Sequence, residues 1–364
     1  MNEKLLKARI WFRKYERHIS SASLILGFII DNLTLKRIDL PFENLVLLTY
    51  ITLALLSIIF FNLHQEGQFG SKFLSQFGVF LPVVMQFAFG GLFSGFIVFY
   101  SRSASIFTSW PFLLILLGVL ISGELLRGFY RRIEYQSAIF FTALFSFLIF
   151  YLPILTNRMN EFVFILSGTT ALALFYAYFR FMSLLSASTR NQRGRILALT
   201  TVIFVTINLF YFANILPPIP LSLKDGGVYH SIYRGAEGYK LQEEKRSLWE
   251  RFRIYERLRL ARGESAYVFS QVFAPTDINT KIIHEWQYKD NSKGGWITAS
   301  TISFSIVGGA DGGYRGYSLK SNVFAGKWRV NVKTSRGQVI GRIKFRIETL
   351  PEPLPADALR YVKK

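Results

Sequence analysis

Several residues in the chain carry side chains able to do chemistry, and the question is which of them can act together. His284 is the only histidine between residues 265 and 350. A metal there would need a second and third ligand, and only His230 and Glu285 offer themselves. A lone histidine next to Trp286 reads instead as a packed, hydrogen-bonded residue. The segment Gly308–Gly313 has four glycines in six positions. It fits either a loop presenting backbone amides to an anion, with Arg315 and Lys320 adding charge, or a tight connection needing positive φ. Trp286, Tyr288, Trp296, Tyr314, Tyr317 and Trp328 are of a type that stacks on sugar rings, although most fit a core or corner better. Arg342, Lys344 and Arg346 alternate with Ile343, Phe345 and Ile347, so the three cations project together if the apolar set is buried. Arg329 and Lys333 join them if the preceding strand is the neighbour. Such a face meets an anion or stays solvated.

A second set lies in apolar surroundings. Asp31, Gln86, Glu124 and Asn208, with Asn214, fall within or at the ends of long hydrophobic runs. Ionisable groups in such places mark proton or ion paths by default. Their positions favour a plainer reading, in which Asp31 and Glu124 are interfacial and solvated and the amides bridge helices. Gly91-x-x-x-Gly95 is a small-residue strip that permits close helix approach. No lysine lies within a hydrophobic run, which excludes a retinal Schiff base. No serine, histidine and carboxylate stand in a strand-turn-helix context, so no catalytic set is assigned. With no cysteine in the chain, disulfides, cysteine nucleophiles and cysteine-ligated zinc are excluded. No cofactor is implied.

The elements that must hold these residues follow from composition. The chain has 364 residues, 51% hydrophobic, 18% charged, with a net charge of +20. That is too apolar for disorder and poorer in charge than an ordinary soluble domain. Seven runs are long enough to cross a bilayer: about 19–35, 45–63, 77–100, 105–122, 136–155, 161–182 and 196–216. Residues 1–18 form a basic segment with Leu5, Ala8, Phe12, Tyr15 and Ile19 on one helical face, either an interfacial helix or the start of the first span. Asp31-Asn32-Leu33-Thr34 after the first run offers no small-residue cleavage site, so that run is read as an uncleaved span.

Basic residues set orientation. Lys4, Lys7, Arg9, Arg13, Lys14, Arg17, Lys72, Arg127, Arg131, Arg132, Arg180, Arg190, Arg193 and Arg195 fall on one side. Lys36, Arg37, Arg102 and Arg158 fall in the short loops of the other. The amino terminus is therefore expected in the cytoplasm and the carboxy-terminal part outside. Pro217, Pro218 and Pro220 mark the boundary between them.

Beyond the prolines the expectation is a linker helix over Leu241–Arg262, with pairs Glu243/Arg246, Glu250/Arg253 and Glu256/Arg259, within a 218–264 exit segment. Six strands follow, at Ala266–Phe273, Lys281–Lys289, Trp296–Val307, Tyr314–Leu319, Lys327–Thr334 and Val339–Glu348, with a hairpin turn at Ser335–Gln338. Their alternation predicts a small all-β, immunoglobulin-like sandwich over 265–350, and 351–364 is left as a tail.

The succession His284-Glu285-Trp286, Gly295-Trp296, Gly308–Lys320, Gly326-Lys327-Trp328-Arg329-Val330 and Gly337–Arg342 resembles a bacterial family, the domain of unknown function 2914. The resemblance covers about residues 265–348. The Pro217–Leu221 exit also resembles members that carry this membrane part. It implies a bacterial envelope protein and supplies no activity. Ala310 stands where the resemblance leads to the expectation of a basic residue.

Together these readings give a non-enzymatic, multi-pass inner-membrane protein that presents a basic periplasmic β-sandwich. Its expected partners are membrane lipid, an anionic envelope polymer or an envelope protein, with a second copy of the chain as a further candidate and no nucleic acid. A transporter or channel through the helical bundle, and a membrane enzyme acting on a lipid-linked substrate, are the alternatives.

Overall fold

The computed structural model describes residues 28–33, 35, 40–68, 78, 80–103, 106–125, 131–217, 221–235, 238–245, 253–274, 280–290, 292, 294–306 and 313–364. The chain divides into two units, one helical and ending at Leu216, the other taking Pro217–Lys364 with the short segments Arg102–Thr108 and Asn157–Met159.

The helical unit contains α1 (Pro41–Gln65), α2 (Leu81–Ser103), α3 (Ile106–Leu125), α4 (Ile133–Thr156), α5 (Glu161–Leu185), the short α6 (Ala187–Asn191) and α7 (Arg193–Phe212). Pro41 starts α1, where a missing N–H costs nothing. Asn160 caps α5 by accepting the Val163 N–H at 2.9 Å. Among the described residues five helices, α1, α2, α4, α5 and α7, are long and apolar enough to cross a membrane, and α3 adds a shorter apolar stretch at Ser109–Ser122. Of the expected first span, residues 28–33 are helical, and the rest of 19–35 apart from Leu35 lies outside the described residues, as does the 1–18 segment.

The surface of this unit is inverted relative to a water-soluble protein. On α1, Leu45, Leu48, Leu56 and Phe60 are exposed, while Glu43, Ser57 and Asn62 are buried. That is the arrangement of a helix whose outer face meets lipid. Helix α4 packs against α1, α5 and α7. Its phenylalanines provide much of the contact, with Phe141 5.2 Å from Phe175 and Phe145 5.7 Å from Phe204. Buried hydrogen bonds join helices: Asn62 Nδ2 donates to Gln136 Oε1 at 2.7 Å, and Tyr100 donates to the Ser146 carbonyl at 3.0 Å.

The Gly91–Gly95 strip is where α1 approaches α2. A Cβ on Gly91 would stand 2.7 Å from the Tyr50 ring and one on Gly95 2.9 Å from Leu47, whereas one on Gly90 would meet nothing. Gly91→Leu is therefore expected to destabilise the detergent-solubilised protein by ~1–3 kcal/mol. Gly90→Leu serves as the matched control and should leave the thermal midpoint near wild type.

Among the described residues the second unit has eleven strands in three sheets. Strands β1 (Ser222–Tyr229), β5 (Ala266–Phe273) and β8 (Tyr314–Lys320) form one sheet in the order β1-β5-β8. The second runs β4-β10-β9-β6-β7, from β4 (Glu256–Ala261), β6 (Thr280–Lys289), β7 (Trp296–Ile306), β9 (Gly326–Thr334) and β10 (Val339–Leu350). The third, β11-β3-β2, joins β2 (Ser231–Gly235), β3 (Gly238–Glu244) and β11 (Leu359–Lys363). One core is shared by the first two sheets and includes Val268, Val272, Trp286, Trp328, Val330, Ile343 and Phe345. A smaller cluster, Tyr229, Ile232, Leu241 and Phe269, packs on the other side of β5. The Ser335–Gln338 hairpin is present, with Gly337 at φ +86° and its N–H bonded to the Thr334 carbonyl at 2.9 Å.

Three expectations need correcting. The Leu241–Arg262 helix is not formed at either end, since Leu241–Glu244 lies in β3 and Glu256–Ala261 is β4. Residues 246–252 lie outside the described residues. The charges that suggested helical pairs are used across strands: Glu243 bonds Arg360, and Arg259 bonds Glu244 at 2.9 Å. Pairing with distant strands overrides the local helical spacing. The 351–364 segment is not a tail, because Leu359–Lys363 pairs antiparallel with β3. The two-sheet antiparallel sandwich also gains a third layer over β5, and β4 runs parallel to β10. Strand β5 shows why: AYVFSQVF is apolar on both faces, as suits a strand covered on both sides.

Candidate functional site

The outer face of the five-stranded sheet collects most of the sequence's basic candidates. Strand alternation places Arg329, Asn331 and Lys333 of β9 beside Arg342, Lys344 and Arg346 of β10, and beside Glu285 and Gln287 of β6. Their partners on the opposite face, Trp328, Val330, Val332, Ile343, Phe345 and Ile347, are buried, which fixes the register that turns the cations outward.

The face is organised rather than a loose set of charges. Lys333 Nζ meets Glu285 Oε2 at 2.6 Å. Asn331 Nδ2 donates to the same oxygen at 2.8 Å, and its Oδ1 accepts from Arg342 Nε at 2.7 Å. Arg329 Nε donates to Gln287 Oε1 at 2.7 Å, and its guanidinium lies 4.1 Å from the centre of the Trp296 ring. Across the strand pairs, cation faces cation: Lys344 is opposite Arg329, Arg346 opposite Lys327, and Arg346 opposite Arg257. Like charges in directly opposed positions destabilise a sheet.

The titration behaviour reports this crowding. Burial, with the Arg342 charge beside it, pushes the Arg329 guanidinium down to about 10. Burial also lowers Arg342. Lys344 is lowered by burial and by the charges of Arg342 and Arg329. Burial alone would raise the Glu285 carboxyl, but hydrogen bonds from Lys333 and Asn331 and the charges of Lys333 and Arg329 outweigh it and hold the group below its ordinary range. Glu285 is thus a carboxylate held ionised among several cations, and Glu348 pairs with Arg257 at 3.3 Å at the β4 edge.

The remaining candidates fall elsewhere. His284 and Trp286 are fully buried between the β1-β5-β8 sheet and the five-stranded sheet, so neither belongs to an accessible surface. The two ring nitrogens of His284 lie 2.7 Å from Ser270 Oγ and 2.8 Å from Ser318 Oγ, and Trp286 Nε1 donates to Ser318 Oγ at 3.0 Å. A serine beside a histidine is the pairing of a nucleophile with its base, but with His284 at 0% exposure no substrate reaches it. Burial pushes the imidazole down to about 3, so it is neutral. The notional metal set does not assemble, since His230 meets Glu244 and Glu285 faces the opposite side of β6 from His284. Among the described residues no group of three or more His, Asp or Glu is placed to hold a metal.

Tyr314 packs against the shared core. Arg315 and Tyr317 lie on the side of β8 facing the third sheet, where Tyr239 donates to the Arg315 carbonyl at 3.2 Å and its ring lies 6.1 Å from that of Tyr317. Lys320 bonds Ser300 Oγ at 3.3 Å, between β8 and β7. Residues 308–312 of the glycine-rich loop, Ala310 included, lie outside the described residues, and Gly313 has φ +86°.

In the helical unit Asp31 is 7% exposed, which replaces the solvated position expected for it. Its carboxyl meets the Ser94 hydroxyl, and it stands close enough to Tyr50 to act on that phenol. Gln86 is half-buried on α2, and Asn208 Nδ2 bonds back to the Phe204 carbonyl at 2.8 Å. The side chain of Glu124 lies outside the described residues.

Glu285, considered from the sequence only as a metal ligand, and Gln287 and Asn331 are the residues that arrange the cations. They were legible as the alternate positions of strands whose other face holds His284, Trp286 and Val330.

Comparison with known proteins adds little chemistry. No curated protein is similar enough to be counted a relative. Among solved structures, the alkylpurine DNA glycosylase AlkC of Pseudomonas fluorescens bound to DNA containing an abasic site analog is 12% identical, over 83% of this chain and 98% of that one. Its TM-score of 0.21 is too low to indicate a shared fold. Residues 279–347, from the start of β6 almost to the end of β10, match the family described as protein of unknown function (DUF2914), so the C-terminal β region carries that domain.

Proposed function

We propose that this is a non-enzymatic protein of a bacterial inner membrane, with its amino terminus in the cytoplasm and its β region in the periplasm. There the outer face of the five-stranded sheet docks on the anionic headgroups of an envelope membrane. Orientation rests on the bias of Lys and Arg between the two sets of short loops. The observation that carries the docking role is the opposition of like charges, Lys344 against Arg329 and Arg346 against Lys327. An anion laid on this face relieves that repulsion, and each cation near an anionic surface contributes ~1 kcal/mol.

The test uses the whole protein held in neutral-lipid nanodiscs and mixed with phosphatidylglycerol or phosphatidylcholine vesicles. Binding is expected to the first alone and to weaken as salt rises. Replacing Arg342, Lys344 and Arg346 together with Ser should cut it on the order of a hundredfold. Equal binding to both vesicles, or no change in the triple variant, sinks the proposal. Competition by a soluble anionic polysaccharide without vesicle binding would assign the face to a polymer instead.

A further inference from the structure

Helix α1 carries a polar residue at every seventh position along its length: Glu43, Tyr50, Ser57 and His64. Seven residues are close to two turns, so the four lie along one stripe of the helix, about 10 Å apart. All four have side chains that bind or pass protons. In a helix with lipid-facing Leu45, Leu48, Leu56 and Phe60, such a stripe belongs to the interior, and Glu43 and Ser57 are 5% and 4% exposed. One Glu43 carboxylate oxygen is buried with no hydrogen-bond partner among the described residues.

Asp31 joins this stripe from outside α1. It meets Ser94 of α2 and faces Tyr50. Tyr50 is nine residues, about 13 Å, from the start of α1, and Ser94 is likewise well inside α2. The carboxyl therefore lies deep between helices that each cross a membrane, not at an end. A buried carboxyl at that depth is costly and marks a proton or ion pathway by default. The glycine at position 91 is what lets the Tyr50 ring lie against α2 one turn from Ser94.

We infer that the helical unit conducts protons along this stripe, with Asp31 as the group that takes up and releases the proton. A proton entering past Glu43 converts the Asp31 carboxylate to the acid. It then leaves through Tyr50, Ser57 and His64 by successive O–H and N–H exchange, and returns Asp31 to the carboxylate. Only O–H and N–H bonds form and break, and one positive charge crosses per cycle. Steps of about 10 Å exceed a hydrogen bond, so water must complete the chain.

The whole protein, reconstituted into liposomes with a trapped pH-sensitive dye and a valinomycin-clamped potassium gradient, tests this. Wild-type vesicles should change internal pH at least tenfold faster than protein-free vesicles. Asp31→Asn should return the rate to the protein-free level, and Ser57→Ala should slow it severalfold. A wild-type rate equal to that of protein-free vesicles overturns the inference, as does an unchanged rate in Asp31→Asn at equal incorporation. Should Asp31→Asn fail to insert, reaction of wild-type protein with dicyclohexylcarbodiimide decides. An adduct mapped by mass spectrometry to Asp31 supports the inference, and its absence overturns it.

Discussion

Lowering the pH from 6.5 to 4.5 should destabilise the β region steeply, and His284→Gln should remove most of that dependence. The imidazole is fully buried, both its nitrogens face serine hydroxyls, and burial pushes it down to about 3. In the unfolded chain a histidine takes its proton near 6.5. Between those values the unfolded state holds a proton that the folded state lacks. The stabilisation is therefore complete above pH 6.5 and is lost as pH falls toward 3. The slope is roughly 1 kcal/mol per pH unit, so several kcal/mol are at stake across the window. Glu285 and Glu244 are held below their ordinary range and add to the loss only at lower pH, so the upper half of the window isolates the histidine. Denaturant titration followed by Trp286 and Trp328 fluorescence reads it. A midpoint that stays flat from 6.5 to 4.5 in wild type would falsify the assignment.

Glu244→Ala should cost ~3–5 kcal/mol, the expense of stranding the partners of a buried carboxylate. Glu244 Oε1 accepts the Arg259 backbone N–H at 2.7 Å and lies 3.3 Å from His230 Nε2, while Oε2 accepts from Arg259 Nε at 2.9 Å. The carboxyl is 5% exposed. Burial works to raise it, but the His230 and Arg259 hydrogen bonds and the Arg259 charge outweigh that and hold it low. Because Glu244 sits on β3 and Arg259 on β4, this contact fastens the third sheet to the edge of the five-stranded one. The variant should lose hydrogen-exchange protection in β2, β3 and β11 first. Arg259→Ala added to Glu244→Ala should cost less than the two single changes summed, because they remove the same bonds. Full additivity would show that the two residues act apart.

What the residues disclosed depended on whether the deciding partner was near in sequence. Each strand from β5 to β10 has its own alternation and turn residues, and these were readable within a residue or two. The cations of β9 and β10 came with them, because a two-residue period leaves no choice of face once Trp328 and Phe345 are buried. Strands β3 and β4 were not readable. Their charges sit at helical spacings, and what makes them strands is hydrogen bonding to β11 and β10, far along the chain. Glu285 was read only as a metal-ligand candidate because its partners, Lys333 and Asn331, lie on another strand. Asp31 was placed near an end of its apolar run by counting residues. Only the packing of residues 28–33 against α1 and α2 shows the depth at which it lies.

The parallel pairing of β4 with β10 also governs how the β region is made. Phe345 pairs with Glu256 across about ninety intervening positions, a contact whose closure entropy must be met before it returns any stabilisation. A chain emerging from its amino-terminal side presents β4 early and must leave its edge unmatched until β10 arrives. In that interval Leu258 and Leu260, which end up in the shared core, have no sheet to lie on. Slow folding for its size, with a nascent form exposed to aggregation, is the expected consequence. The segment matched to the family begins after both β4 and β5. Cut out on those limits, it would lack one edge of the five-stranded sheet and the strand at the centre of the three layers.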